Sequence, residues 1–183
     1  MRSLRSWSLW SLLALGLLVG GGAVAADEPA IAVRLPFNAY NLRFVGEDVV
    51  SLAVQLHRSP TELRGRVFDA PALFTLKEGG VSGIVGPIPV NLKVRQEGDT
   101  VHAEGGFING RVTLRYNPRE LQVYINQCTY NLEYTDGRYL GRRSCDSRLA
   151  PPVEVALPEM FQQLAPVEQA TLLLLALTPP DSI

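Results

Sequence analysis

The two cysteines of this chain stand at equal distances on either side of one turn signal. Cys128 precedes, and Cys145 follows, the dipeptide Asp136-Gly137, which separates two runs of alternating apolar and polar residues. Asp-Gly in this setting predicts a two-residue type I′ hairpin, because that turn needs positive φ at both central positions. The hairpin pairs the cysteines at a non-hydrogen-bonded position, where Cα atoms come within ~4.5 Å. Because a disulfide needs such closeness, we predict one between Cys128 and Cys145.

The N-terminus has the three-part layout of a secretory signal peptide. Arg2 and Arg5 precede an apolar run from Trp7 to Val19, and the small-residue segment Ala23–Ala26 follows. This run is shorter than the ~20 residues of a spanning helix, which disfavours the alternative of an uncleaved anchor. We therefore predict a signal peptide over 1–26, a periplasmic or secreted location that suits a disulfide, and no transmembrane segment in the mature chain.

Composition excludes some function classes. The 17 basic and 18 acidic residues leave no basic surplus, so a nucleic-acid partner is not expected. Lys77 and Lys93 are the only lysines among the basic residues, a bias typical of GC-rich genomes, and we infer a bacterial origin. His57 and His102 lie far from the cysteines in sequence, and no metal-ligand spacing or cofactor loop occurs. We therefore assign no metal, no cofactor and no catalytic residue.

The middle of the chain predicts an up-and-down meander of at least six strands from Ile88 to Cys145. Turn signals separate the strands: Gly86-Pro87, Glu97-Gly98, Asn109-Gly110, Asn117-Pro118-Arg119-Glu120, Asn126-Gln127 and Asp136-Gly137. Two-residue loops at the second and third of these place Val94 opposite Val101 and Phe107 opposite Val112. All the resulting registers put the apolar side chains on one face of the sheet.

Further strands are expected upstream of this meander. They are Ile31–Leu35, Val49–Leu56, Leu63–Phe68, Ala72–Lys77 and Val81–Val85. Ten or eleven strands are too many for one flat sheet, so the fold class is mainly β, with the meander curled into a barrel, half-barrel or sandwich. Glycines within the strands, such as Gly83, Gly105, Gly106 and Gly141, mark sites where the sheet can bend.

The C-terminal part is different in character. The β domain is predicted over 27–150, and 151–183 is a proline-containing connector with helices packed on the same domain. A short helix is predicted over Pro158–Leu164 and a second one from Pro166 to about Leu177. The end of the second helix, Leu172–Leu177, is apolar on every side and must be buried. The concave face of the sheet is the expected place, and a subunit interface is the alternative.

One segment is a candidate binding edge. Residues 36–44 are rich in aromatic and amide side chains without a clear period, so they predict either a loop at a barrel mouth or an irregular core strand. The candidate residues are Phe37, Asn38, Tyr40, Asn41, Arg43 and Phe44.

These features favour an exported binding module over an enzyme. Our first hypothesis is that it holds an apolar small molecule or lipid between the sheet and the C-terminal helix, because both carry much apolar surface. The alternative is a protein-interaction or inhibitor domain that binds an envelope or extracellular protein through the 36–44 loop. A hydrolase using His57 and Ser59 ranks third, because no third catalytic group is identifiable.

Overall fold

A computed structural model of the protein describes residues 28–108 and 110–178, so the predicted signal peptide lies outside the described residues. Short strands dominate, and their alternating burial follows the alternating sequence. The strands are β1 Ala30–Arg34, β2 Ala39–Val45, β3 Asp48–Val50, β4 Val54–Arg58, β5 Glu62–Val67, β6 Ala70–Lys77, β7 Gly80–Val85, β8 Ile88–Glu97, β9 Thr100–Phe107, β10 Gly110–Tyr116, β11 Glu120–Ile125, β12 Cys128–Thr135, β13 Arg138–Arg143 and β14 Val153–Ala156. A 3₁₀ helix, Glu159–Gln163, and the helix α1, Pro166–Ala176, follow the last strand.

The strands form one closed antiparallel barrel in which each strand pairs with its sequence neighbours and β14 pairs with β1. The turns that follow even-numbered strands lie at one end, together with the 3₁₀ helix, and we call this end the mouth. The connections that follow odd-numbered strands lie at the other end, which we call the far end. The mainly β fold class is therefore confirmed, and of the three forms considered the closed barrel is the one observed.

The hairpin around Asp136-Gly137 has the predicted register. Thr135 pairs with Arg138, and Leu132 pairs with Gly141. Cys128 and Cys145 form the predicted disulfide, with Cα atoms 5.4 Å apart. The turn type and the cysteine positions therefore agree, as the sequence required.

Two other hairpin registers were predicted wrongly, each by two residues. β8 and β9 pair Val94 with Ala103 rather than with Val101, because Gly98 is the first central residue of its turn, not the second. A positive φ at the first central position alone is typical of a type II′ turn. β9 and β10 pair Phe107 with Gly110 rather than with Val112. A shift of two residues keeps every side chain on its face, so the predicted core is unaffected.

The upstream part of the barrel differs from the sequence prediction in detail. Val49–Leu56, predicted as one strand, is divided between β3 and β4 by a bend stabilised by Ser51, whose hydroxyl accepts hydrogen bonds from the amides of Ala53 and Val54. The 36–44 segment contributes β2, and the connector after Pro152 contributes β14. Neither β2 nor β14 is among the strands predicted from the sequence, so the barrel has more strands than the ten or eleven expected.

Glycines let neighbouring strands approach closely where the barrel coils. A Cβ atom added at Gly83 would lie 2.0 Å from the carbonyl oxygen of Leu73, and one added at Gly141 would lie 2.0 Å from that of Asn131. No other residue fits such contacts, which explains glycine at these positions. Gly106, predicted to have the same role, has open space at its Cβ position.

The helix α1 runs through the barrel interior. It contacts β1 on one side and β6–β9 on the other, and β1 and β8 lie on opposite sides of the closed ring. Residues 170–177 are at most 3 % exposed, as expected for a helix that has no polar face. The prediction of a buried helix on the concave side of the sheet is therefore confirmed, and α1 and the apolar sheet face cover each other.

Candidate functional site

The 3₁₀ helix closes one side of the mouth. Phe161 is fully buried there, and its ring packs edge-to-face on Tyr116 at 5.8 Å between centroids. Tyr116 packs in turn on Tyr139 at 5.9 Å, and the Tyr139 hydroxyl donates a hydrogen bond to the carbonyl of Asn117 at 2.9 Å. Aromatic side chains therefore seal the mouth beneath β10–β13.

An ion pair fixes the first turn of α1 at the mouth. Arg58 Nε donates to Glu168 Oε1 at 2.7 Å, and the two side chains are only 17 % and 12 % exposed. The guanidinium of Arg58 also lies 5.2 Å from the centre of the Phe44 ring. A carboxylate in a first helical turn is favourable because the helix N-terminus carries partial positive charge. The pair therefore holds α1 in one position relative to β4.

The opposite side of the mouth stays open. A cleft of about 670 Å³ lies between the first turn of α1 and the ends of β6–β8. Its apolar lining comes from the inward-facing Leu76 and Val94 together with Pro166 and Val167 of the helix. This volume lies within the ~300–1,000 Å³ typical of small-ligand sites. We call this space the mouth cleft.

Charged groups border the mouth cleft. Lys77 and Arg95 lie on its strand side, and Glu78 follows Lys77 in the β6–β7 turn. Arg95 forms an exposed ion pair with Glu97 at 3.1 Å, whereas Lys77 forms no ion pair within 4.0 Å among the described residues. The cleft therefore combines an apolar floor with a charged edge on which the Lys77 ammonium is available to an acidic group, an arrangement that suits an apolar molecule with an acidic head group.

Local sequence could not have revealed the mouth cleft. Alternation correctly places Leu76 and Val94 on the inner face, and Pro166 correctly marks the start of a helix. Their juxtaposition depends on the barrel closing around α1, and no local sequence pattern records that closure.

The structure divides the predicted 36–44 binding edge. Phe37 and Asn38 lie in the exposed β1–β2 loop at the far end, while Asn41 and Arg43 point outward from β2. Arg43 pairs with Glu28 at 3.0 Å. Phe44 belongs to the buried core, and Tyr40 is half-buried with its hydroxyl enclosed. Of this segment, only the loop is an exposed edge, and the rest is the core strand that the sequence allowed as the alternative.

Tyr40 lies close to an arginine that the sequence places on the inner face. Arg143 is stacked 5.9 Å from the centre of the Tyr130 ring and donates from Nε to Asp146 at 3.1 Å. An arginine on the inner face needs either a place at the rim of the sheet or a carboxylate partner, and Asp146 is such a partner. The hydrogen bond to Asp146 is the main reason why the pKa of Arg143 is raised.

Burial also raises the pKa of several tyrosine hydroxyls, because the phenolate form is poorly solvated inside the barrel. At Tyr40 the neighbouring Tyr130 adds to this effect and Arg143 opposes it. At Tyr139 the neighbouring Tyr116 adds to it. The group, called the buried tyrosines below, consists of Tyr40, Tyr116, Tyr130 and Tyr139.

The histidine and serine considered for a hydrolytic site are not brought together for catalysis. His57 is exposed, with Nδ1 2.9 Å from Asp48 Oδ1 and Nε2 3.7 Å from Glu47. The Ser59 hydroxyl accepts from the amide of Glu62 at 3.1 Å and so stabilises its own turn. A nucleophile must be hydrogen-bonded to its base, and here each group has another partner.

Comparisons with known proteins give no family for this chain. No protein-family profile matches it, and no curated protein or solved structure matches it either. Within residues 28–108 and 110–178, no cluster of three or more histidine, cysteine, aspartate or glutamate side chains is arranged to hold a metal ion. In the same part of the chain, no helix is long and apolar enough to cross a membrane.

Proposed function

We propose that the protein is an exported binding module and that the mouth cleft holds an apolar or lipid-like small molecule with an acidic head. The observation that carries the proposal is the asymmetry of the mouth. Phe161 and its aromatic neighbours seal one side, whereas the side between α1 and β6–β8 remains open. The disulfide is compatible with an exported protein.

This position for the ligand refines the hypothesis drawn from the sequence. The inner part of α1 offers no space, because residues 170–177 are packed against the sheet. A ligand between sheet and helix must therefore lie at the first helical turn. There its apolar part would contact Val94 and Val167, and its acidic head would lie near Lys77.

Native mass spectrometry of the mature chain, purified without detergent from its natural compartment, tests the proposal. We expect a bound mass that leaves on denaturation and that is absent from Val167→Trp, since the larger side chain occupies the cleft. Met160→Trp is the matched control, because Met160 is a half-buried apolar residue on the sealed side of the mouth. A ligand-free wild type, or a Val167→Trp variant that retains the ligand, would contradict the proposal.

A further inference from the structure

Three large apolar side chains at the far end are almost fully exposed. Phe37 is 87 % exposed, Leu52 101 % and Leu149 95 %, and no other large apolar residue of the described chain exceeds 50 %. They lie in the β1–β2, β3–β4 and β13–β14 connections. Large apolar side chains are normally buried in a folded protein. Three of them exposed at the tips of separate loops therefore indicate a surface that functions in contact with something apolar.

The three loops are consecutive around the ring. The order β13-β14-β1-β2-β3-β4 places the β1–β2 loop between the other two. Neighbouring connections are two strand spacings apart, or about 10 Å. Phe37, Leu52 and Leu149 therefore lie side by side on the loops of one sector of the far end, called the apolar sector below.

The far end is also basic. We count the charged residues in each connection at this end and in the two strand residues on either side of it. The acidic residues are Asp69, Asp146 and Glu154. The basic residues are Arg34, Arg66, Arg111, Arg142, Arg143 and Arg148. Asp146 is bound by Arg143, and Glu154 is bound by Arg138. The balance is reversed at the mouth when its six hairpins are counted in the same way. The acidic residues there are Glu47, Asp48, Glu62, Glu78, Glu97, Asp99, Glu120 and Asp136, and the basic ones are Arg58, Lys77, Arg115, Arg119 and Arg138. The barrel is therefore polarised along its axis, and its basic end carries the exposed apolar loops.

A groove beside Leu149 concentrates the positive charge. About 250 Å³ lies between the end of β13 and the β13–β14 loop. Its charged and hydroxyl lining consists of Arg142, Arg143, Arg148, Ser144, Ser147 and Asp146, and the Asp146 carboxylate accepts a hydrogen bond from Arg143. The guanidiniums of Arg142 and Arg148 are exposed and form no ion pair within 4.0 Å in the part of the chain that the structure describes. The serine hydroxyls accept from backbone amides and keep their own protons for donation. These groups match the acceptor oxygens of a phosphate.

The loop that forms this groove is fixed before any ligand arrives. The Cys128–Cys145 disulfide ties it to β12, and the amide of Ser144 donates to the carbonyl of Thr129 at 2.8 Å. Arg142 Nη1 donates to the carbonyl of Arg148 at 2.8 Å across the loop. A pre-organised groove loses little conformational entropy on binding.

We propose that the far end docks on an anionic phospholipid surface, with Phe37, Leu52 and Leu149 entering the interfacial layer and Arg142 and Arg148 contacting phosphate groups. Apolar side chains interspersed with arginines are the combination that binds peripheral proteins to charged bilayers. Side chains at separate loop tips suit a lipid layer, which closes around each one, better than a protein partner, which needs one continuous surface. This docking goes beyond the proposed ligand binding and leaves the mouth cleft facing the aqueous phase.

Vesicle co-flotation of the mature chain tests the docking. The vesicles contain either phosphatidylcholine alone or phosphatidylcholine mixed with phosphatidylglycerol. We expect binding to the mixed vesicles that weakens with salt, because each arginine near an anionic surface contributes roughly a fivefold gain in affinity. Arg142→Gln/Arg148→Gln should therefore weaken binding about 25-fold, and Phe37→Ser/Leu52→Ser/Leu149→Ser should weaken it tenfold or more on mixed vesicles.

Matched controls lie at the mouth. Val45→Ser removes a partly exposed apolar side chain there, and Arg119→Gln removes an exposed arginine. Both should bind vesicles like the wild type. A folded wild type that does not float with mixed vesicles would overturn the docking, as would equal losses in the far-end and mouth variants. Equal binding to both vesicle types would exclude the role given to the arginines.

Photo-crosslinking in the expressing cell separates a membrane from a protein partner. Benzoylphenylalanine at position 52 should form adducts with phospholipid, and the same probe at position 45 should not. Adducts with one protein and none with lipid would overturn the membrane assignment and return the 36–44 loop to the interaction hypothesis. Because the mouth cleft is not involved, none of these outcomes changes the mass-spectrometric test of the proposed ligand.

Discussion

The ion pair between Arg58 and Glu168 offers the sharpest test of how α1 is held in the barrel. We consider Arg58→Met, Glu168→Met and the double variant. Each single change leaves one charge largely buried without its partner, whereas the double change leaves an apolar pair of similar volume. Met at position 58 can still contact the Phe44 ring that lies beneath the guanidinium.

The expected magnitude follows from the geometry. Two unit charges about 4 Å apart attract by about 4 kcal/mol at an effective dielectric constant of about 20. Removing one member of a buried pair costs about 3–5 kcal/mol, and the residual exposure of 17 % and 12 % points to the lower limit. We therefore expect each single variant to lose about 3 kcal/mol of unfolding free energy, or roughly 10 °C in Tm. The double variant should lie within about 1 kcal/mol of the wild type.

Urea unfolding followed by circular dichroism measures all four proteins, and equal slopes of free energy against urea show that the unfolded states are comparable. The exposed pair Arg64–Glu62, with side chains 66 % and 39 % exposed, is the control and should show a coupling of about 0–1 kcal/mol. Strictly additive losses in the Arg58/Glu168 double variant would refute the assigned role of the pair. An Arg58→Met variant as stable as the wild type would refute it as well.

Two further stability predictions concern the disulfide and the buried tyrosines. The double variant Cys128→Ser/Cys145→Ser should lose about 3 kcal/mol of unfolding free energy. The reason is that the bridge closes a loop between cysteines 17 residues apart and so restricts the unfolded chain. Identical urea midpoints for the oxidised and the reduced wild type would contradict this. The buried tyrosines have pKa values raised above the unfolded value of about 10, so their contribution is complete below that pH and is lost as the pH rises above it. The free energy of unfolding should therefore fall above about pH 10, by up to about 1.4 kcal/mol per pH unit for each buried tyrosine, and the urea midpoint should fall with it. Tyr124 and Tyr134 are partly exposed, so tyrosinate absorbance from more than two of the six tyrosines in the still folded protein would contradict the burial argument.

Local sequence is enough to specify the features that arise from near neighbours in the chain. Asp136-Gly137 specified its turn because few residues tolerate the backbone conformation there, and the cysteines confirmed the register. Alternation specified which side chains face inward, and this held even where the Gly98 turn was placed one residue away from its true position. That error moves the strand pairing by two residues, and a shift of two preserves the face. The apolar run of α1 required burial wherever the helix was placed.

The assembly of these parts into one barrel follows from contacts that no local pattern records. Closure pairs Ala32 with Ala156, and short strands such as β3 and β14 form because the longer strands on either side supply their hydrogen bonds. Neither has a local signal, since each depends on contacts between residues that are far apart in sequence. The same closure creates both candidate surfaces. It brings Val94 beside Val167 at the mouth and groups Phe37, Leu52 and Leu149 in the apolar sector of the far end. Each of these residues is ordinary in its local sequence, and their shared position follows from the order of strands around the ring.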